Sequence, residues 1–400
     1  MNALPPVLIA GWMRSPVAPV GGALAQLAAH ELGAPVLQAL LARAGLPPEA
    51  VDAVVLGNAL GAGGNPARML ALAAGLSERC AAQSVDSQCC SGLDAVALAA
   101  GLLQSGQADI AVAGGVEAWS RAPIRQTRPR HAGEAPQIYE RPPFAPDPAR
   151  DPDLLQSAAD YALAHGFTRA EQEAYALEAH ARALAAQAMQ SHEIAPIAGL
   201  ACDAYPRAMT AGRAARMPVV ARGAGRDRSD ADGYALSALT VSAKADGAAL
   251  LLLATPEACR RHGLRPLARW VASASVGAAP ETPLLAAALA ARTVLERAAH
   301  KQQAALTPHE IAAIELHDAF AVQGLAFCRE LGLEPQAINT GGGGLARGHP
   351  IGASGAIALV RVLSQLQASP EAAPWGLAAI AGAGGIGAAC LVQGLGTTRA

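Results

Sequence analysis

Three short segments bring together residue types able to do covalent chemistry. In D-S-Q-C-C-S-G-L, Asp86 to Leu93, two adjacent thiols stand just ahead of a run with helical spacing. The free N–H groups and positive dipole end of a helix start favour a thiolate, and Gly92 admits close approach of backbone or substrate. Either Cys89 or Cys90 could be a nucleophile; two inert core thiols would account for the same residues. In G-H-P-I-G-A-S-G-A, Gly348 to Ala356, the rigid Pro350 and glycines 352 and 355 frame His349 at a fixed angle, as a base, an oxyanion donor or a turn residue. In E-L-H-D-A-F-A-V-Q, Glu315 to Gln323, His317 follows a strand candidate, where it can reach a cleft or cap the next helix.

The elements that must position these residues alternate between short apolar strands and helices. Strand candidates are Val7 to Ala10, Val51 to Leu56, Asp109 to Ala113 (stopped by Gly114-Gly115), Ala248 to Ala254, Ile311 to Leu316 and Leu377 to Ala381, with a returning strand in Gly384 to Val392. Helical spacing covers Leu24 to Ala44, Gly92 to Leu103, Leu284 to Ala299 and Ala353 to Leu366. Helices between near-continuous apolar strands predict an α/β fold with sheets covered on both faces. Cys89 and His349 each precede a helix with a small-residue face, which predicts two halves of like topology. Between Trp119 and about residue 235 the pattern breaks. This polar stretch holds Arg121, Arg125, Arg128, Arg130 and Arg141, two helix candidates (Leu154 to His165, Arg169 to Gln190) and a second arginine-rich run from Arg207 to Arg228. The expected division is 1–119 with 235–268 as one half, 120–234 as an inserted binding or lid region, and 269–400 as the other half.

Composition narrows the function. With 400 residues, 52% apolar and 16% charged, the chain can bury two cores. A net charge of −2 gives no general attraction to nucleic acid or an anionic membrane. Seven cysteines, an odd number without paired C-x-x-C elements, and a start lacking a basic leader point to a reducing, cytoplasmic setting. No membrane span and no metal site are expected.

Taken in order, C-x-S-G-L, A-G-G-x-E-x-x-S-x-A-P, D-x-x-x-R, S-x-x-x-D-G-A-A, D-A-F-A-x-Q and G-H-P-x-G-A-S-G resemble the thiolases from Val7 to Val392. The resemblance implies a five-layered α/β/α/β/α fold of two similar halves with an inserted loop domain, in a homodimer or a dimer-of-dimers tetramer. It implies acyl-CoA as substrate, coenzyme A as the carrier and no permanently bound cofactor. By the same resemblance Cys89 is the nucleophile, His349 activates it and His317 helps bind the thioester oxygen. Further implied are backbone oxyanion donors at Cys89 and Ala383, coenzyme-A contacts at Arg207 and Ser242, and an acyl-pocket wall at Leu154.

The departures are specific. Where the family has C-x-G-G-G, with a cysteine that moves the α-proton of the second acyl-CoA, this chain has A-G-A-G-G, so the matching residue is Ala381. A second family position for that cysteine, after the H-D pair, is Ala319, and the loop motif M-G-x-T-A-E becomes L-L-Q-S-A-A from Leu154 to Ala159. The expected activity is formation or cleavage of a 3-oxoacyl-CoA. Transfer to another acceptor, decarboxylative condensation on a Cys-His-His site, and a non-catalytic acyl-CoA-binding subunit are the alternatives.

Overall fold

The computed structural model describes residues 4–61, 63–224, 232–302, 306–369 and 373–396. Arg226 and Arg228 of the arginine-rich run lie outside them. The long strands are β1 (Val7–Arg14), β2 (Ala53–Gly57), β3 (Ala81–Val85), β4 (Ile110–Ala118), β5 (Ala245–Ala254), β6 (Ala268–Gly277), β7 (Ala313–His317), β8 (Trp375–Gly382) and β9 (Ile386–Gly394). The long helices are α1 (Ala29–Ala44), α2 (Pro66–Ala73), α3 (Ser91–Gln104), α4 (Leu154–His165), α5 (Arg169–Gln190), α6 (Pro256–His262), α7 (Ala286–Gln302), α8 (Ala321–Leu331) and α9 (Ser354–Ala368).

The strands form one ten-stranded ladder in the order β7-β8-β9-β6-β1-β5-β4-β2-β3, with the short Ala18–Pro19 strand on β5. β2 runs parallel to β3 and β4, and β7 runs parallel to β8; the remaining neighbours on this path are antiparallel. The two halves of the ladder join only where Val7, Leu8 and Ile9 meet Trp270, Arg269 and Ala268.

Alternation along the strands builds the layers. Val55, Ala111, Ala113, Leu251 and Leu253 share one core with α3, α9 and the inner residues Ala378, Ile380 and Ala388 of the other half-sheet. Their neighbours Val54, Leu56, Val112 and Leu252 face the opposite way, onto α1, α2 and α6. Ile314, Leu316, Leu377, Ala379 and Leu391 face outward onto α7 and α8. Two half-sheets thus enclose α3 and α9 and are covered outside by helices, giving the five layers. By length and composition the segment Ile351–Ala368 could cross a membrane, but 78% of it is buried inside the fold. It is the central core helix.

Helices α4 and α5 begin and end where sequence spacing places them. Two other expectations shift. The helix expected from Leu24 starts at Ala29, where the Ala28 N–H is taken by the Glu31 carboxylate at 2.8 Å; residues 22–27 form successive turns instead. The strand expected to stop at Gly114-Gly115 continues to Ala118. Glycine serves there as a flat surface: a side chain at Gly114 would overlap the Ala249 carbonyl, and one at Gly115 the Gly352 carbonyl.

A buried ion network fastens the segment after α5 to the body. Arg14 on β1 bonds Glu193 at 2.7 Å and Asp203 at 2.7 and 3.0 Å, and Arg361 on α9 bonds the other Glu193 oxygen at 2.6 Å. Burial alone would raise the Glu193 pKa, but Arg14 and Arg361 outweigh it and hold the carboxyl down at about 2. Glu193→Gln is therefore expected to cost about 3–5 kcal/mol in urea unfolding at pH 7, because two guanidiniums lose their shared carboxylate. A depressed folded-state pKa contributes stability above the ordinary value of 4.5 and loses it as pH falls toward about 2. The wild-type and variant urea midpoints should accordingly converge as the pH is lowered below 4.5; a constant gap would show that Glu193 is not the titrating partner.

Candidate active site

The turn between β3 and α3 separates the two thiols. Gln88 adopts a left-handed conformation (φ 55°), and the Ser91 hydroxyl accepts the Ser87 N–H at 2.9 Å while donating to the Gln88 carbonyl. Cys90 becomes the N-cap residue of α3, 1% exposed, with its sulfur turned to the Ile380 carbonyl in the inner core. Cys89 is partly buried and faces His349, whose Nε2 lies 3.2 Å from Sγ. The two thiols thus part company: Cys90 packs into the core, and Cys89 faces an imidazole.

His349 is fixed through both backbone and ring. Its N–H bonds the Ala243 carbonyl at 2.7 Å, and Nδ1 lies 2.7 Å from Ser354 Oγ. The Ser354 hydroxyl donates its only proton to the Pro350 carbonyl at 2.9 Å, so toward His349 it can only accept. Nδ1 therefore carries the ring proton, and Nε2 presents a lone pair to the Cys89 thiol. Burial lowers the His349 pKa to about 4. Burial likewise pushes the Cys89 thiol up to about 12, against the Ala383 and Cys89 backbone N–H groups, with Glu117 and Asp86 adding to the rise. The position ahead of a helix does not make a resting thiolate here, because desolvation outweighs it. The pair rests neutral.

His317 ends β7 and packs its ring against His349, with centroids 4.2 Å apart at 32°. Only glycine is tolerated at 344, since a side chain there would overlap the His317 ring. Ser242 ties this corner together, donating its hydroxyl to the Gly344 carbonyl at 2.8 Å and its N–H to the Ala319 carbonyl at 2.9 Å. Asp318 accepts from the Tyr175 hydroxyl at 2.8 Å and the Leu345 N–H at 2.9 Å, anchoring the turn after His317. Arg207 lies over the Tyr205 ring at 4.3 Å, and Leu154 opens α4 beside its cap Asp153. Among the described residues neither hydrogen-bonds to Cys89, His349 or His317. Ala381 sits on β8 opposite Gly387 and packs with the outer core, on the other face from Ile380.

Sequence reasoning left Glu117, Asn58 and Ser354 without roles. Glu117, 1% exposed on β4, accepts from Asn58 Nδ2 (2.8 Å), the Ala59 N–H (2.9 Å) and the Gly352 N–H (3.0 Å). Burial raises its pKa to about 7 against those bonds. Around it the Gly352 carbonyl is packed so closely that a Cβ on Gly57 or Gly92 would come to 2.7 or 2.8 Å, and one on Gly115 closer still. Three glycines from three elements thus receive the loop that carries His349. The A-G-G-x-E spacing was the available signal, but only the fold shows what the glutamate grips.

A thiol and an imidazole held neutral at hydrogen-bonding distance, beside a second imidazole and between two similar α/β halves, define a nucleophilic acyl-transfer site of the Cys-His kind. The chain belongs to the thiolase family: residues 7–257 match the thiolase N-terminal domain and residues 264–394 the thiolase C-terminal domain. It is 35% identical over 390 residues to acetyl-CoA acetyltransferase of Allochromatium vinosum, covering 95% of this chain and 97% of that one. It is also 35% identical to β-ketoadipyl-CoA thiolase of Pseudomonas aeruginosa, covering 91% and 93%. Among solved structures, acetyl-CoA acetyltransferase of Bacillus anthracis superposes with a TM-score of 0.87 at 32% identity, covering 99% and 100%. A thiolase of Ascaris suum in complex with coenzyme A gives 0.85 at 29% identity, covering 98% and 100%. The fold expected from the resemblance and thiolase-type acyltransferase activity on 3-oxoacyl-CoA both stand.

The glycine packing around Gly352 yields a direct test of how the pair is positioned. Gly115→Ala must displace the His349 loop, and a shift on the order of 1 Å in a reacting group costs roughly 10²-fold in rate. The variant should keep its far-ultraviolet circular dichroism yet lose about that factor in the rate of Cys89 alkylation by iodoacetamide. Wild-type reactivity would mean that this contact does not set the Cys89–His349 distance.

Proposed function

We propose that the reaction runs through an acyl-enzyme on Cys89, with His349 as its base; the 3.2 Å Cys89–His349 contact carries the reading. His349 Nε2 takes the thiol proton as Sγ attacks the acyl-CoA carbonyl. The tetrahedral intermediate expels coenzyme A, which leaves with a proton, and a thioester remains on Cys89. The returning coenzyme A thiol then gives its proton to His349 as its sulfur takes the acyl group, and that proton returns to the Cys89 thiolate; in the condensation direction the α-carbanion of the second acyl-CoA takes the acyl group and the Cys89 thiolate regains the proton that the α-carbon gave up. Backbone N–H groups of Cys89 and Ala383, both directed at the Cys89 sulfur, are the donors for the first oxyanion, and His317 with His349 for the second. Arg207 and Ser242 line the coenzyme-A tunnel in this reading, and Leu154 bounds the acyl pocket. The coenzyme A bound in the Ascaris relative supports a tunnel of this kind. The exposed edge strand β3 is the surface on which two chains would pair as a homodimer or, with a second pair, as a tetramer, in a cytoplasmic setting. Intact-mass measurement after adding acetyl-CoA should show one acetyl increment, absent in Cys89→Ala. No increment on the wild type would sink the acyl-enzyme reading.

A second reading follows from Ala381 and Ala319. Neither side chain titrates, so direct Claisen condensation lacks the usual base, whereas loss of CO₂ from a malonyl thioester would generate the carbanion without one. Product from acetyl-CoA alone would exclude an obligatory decarboxylation. Under the leading reading Ala381→Cys should raise acetoacetyl-CoA formation or thiolysis, on the order of 10²-fold, by supplying an acid/base thiol. Fast wild-type condensation left unchanged or lowered by Ala381→Cys would show that another base is in place.

A further inference from the structure

Around His317 three buried polar atoms have no hydrogen-bond partner: His317 Nε2, Arg347 Nη1 and Glu315 Oε2. Arg347 stands two residues before His349 and is 5% exposed, and its nearest approach to Glu315 is 3.6 Å, too long for a good hydrogen bond. A cavity of about 10 Å³ is lined by His317, Arg347, Gly344 and Ser354, with Leu316 and Ile357 as apolar walls; a Cβ on Gly344 would overlap His317 Nδ1, so this is the ring nitrogen on the Gly344 side. That volume matches the smallest space able to hold one water, and a buried water needs at least two polar partners, which the imidazole and the guanidinium provide.

We propose that Arg347, acting through one water in this cavity, decides which ring nitrogen of His317 carries the proton, and so makes His317 a hydrogen-bond donor in catalysis and not the α-proton base. This role presupposes the acyl-enzyme reaction proposed above but belongs to a residue outside its chemistry. A guanidinium has donors and no acceptor. A water bonded to it must accept, which turns the water's own protons toward His317. The ring nitrogen facing that water must then supply a lone pair. A neutral imidazole has one donor and one acceptor nitrogen, so the proton sits on the other nitrogen, away from Arg347. Burial, His349 and Arg347 all disfavour the imidazolium, which keeps the ring in this neutral form. With its lone pair committed to the Arg347 side, His317 has nothing with which to abstract a proton from a substrate, whereas its N–H can bind a thioester oxygen as negative charge develops there. Arg347 is a positioning residue in this scheme: it touches neither substrate nor the reacting sulfur.

The test uses the full-length protein with ¹⁵N-labelled histidine, the His317 signals being assigned with His317→Asn, alongside a high-resolution crystal structure that shows which ring nitrogen faces the cavity water. Wild type should give a single neutral tautomer near pH 7, protonated on the nitrogen away from Arg347, and the cavity should hold one ordered water. The pair Glu315→Gln with Arg347→Met removes both buried charges together, so neither is left uncompensated. It should give averaged signals of two tautomers and lower condensation or thiolysis roughly 10-fold or more. Arg347→Lys, which keeps a donor-only cation, should restore the single tautomer. A proton on the nitrogen facing Arg347, a dry cavity, or an unchanged tautomer in the double variant would each overturn the proposal. Acylation of Cys89, read separately by mass, bears on the acyl-enzyme assignment alone, so the two can fail independently.

Discussion

The active site depends on a backbone contact more than on any side chain. The Gly352 carbonyl is received by Gly57, Gly92 and Gly115, while its N–H is held by the Glu117 carboxylate. Gly92 belongs to the first turn of the helix that follows Cys89, and Gly352 lies three residues past His349. Closing this contact therefore sets the spacing between Cys89 and His349 at the same time. Hydrogen bonds alone would leave such a spacing soft; atoms already in van der Waals contact cannot move closer, and the Glu117 bond prevents them from separating. A buried carboxylate is costly, but the Asn58 amide and backbone N–H groups direct their donors at it, which compensates most of that cost.

The central layer explains why both reactive residues lie at helix starts. Helices α3 and α9 are buried between two half-sheets, and their first turns meet reciprocally: a Cβ on Gly92 would press on Ala356, and one on Gly355 on Leu93. Small residues let the helices approach at their N-terminal ends, so the turns feeding them, one with Cys89 and one with His349, arrive at the same place. The site is a product of the pseudo-symmetric packing, one reactive group from each half. It needs the half-sheets on both sides for its walls, which is why a chain of this size is used to hold a thiol and an imidazole.

Much of this was legible in the sequence for a physical reason. Strands buried on both faces show as continuous apolar runs, and helices with glycine and alanine on one face announce close packing, so the layers could be read from Val51 to Leu56 or from Ala353 to Leu366. The choice between Cys89 and Cys90 could not be made from spacing alone. It turns on the left-handed Gln88, which rotates successive side chains to opposite sides of the turn, and glutamine carries no mark of that conformation. The continuation of β4 through Gly114-Gly115 was hidden for the converse reason. Paired glycines mean a turn in most chains, and only the partner backbones of Ala249 and Gly352 show that here they mean contact. Ser354 was invisible because its role depends on where its one proton goes.

Burial has a further consequence for chemistry. With burial pushing the thiol up to about 12 and the adjacent imidazole down to about 4, the neutral pair is favoured over the ion pair at neutral pH. The same desolvation makes the thiolate reactive once formed, because two backbone N–H groups stand where water would have given a full hydration shell. Proton transfer and attack on the thioester must then be linked. In the proposed reaction, as Sγ bonds to the carbonyl carbon, the negative charge leaves sulfur for the carbonyl oxygen, where the Cys89 and Ala383 N–H groups would meet it, and the cost of the imidazolium is offset by that charge instead of by a free thiolate. The neutral resting pair thus leaves Cys89 competent toward a carbonyl that can enter the donor pocket.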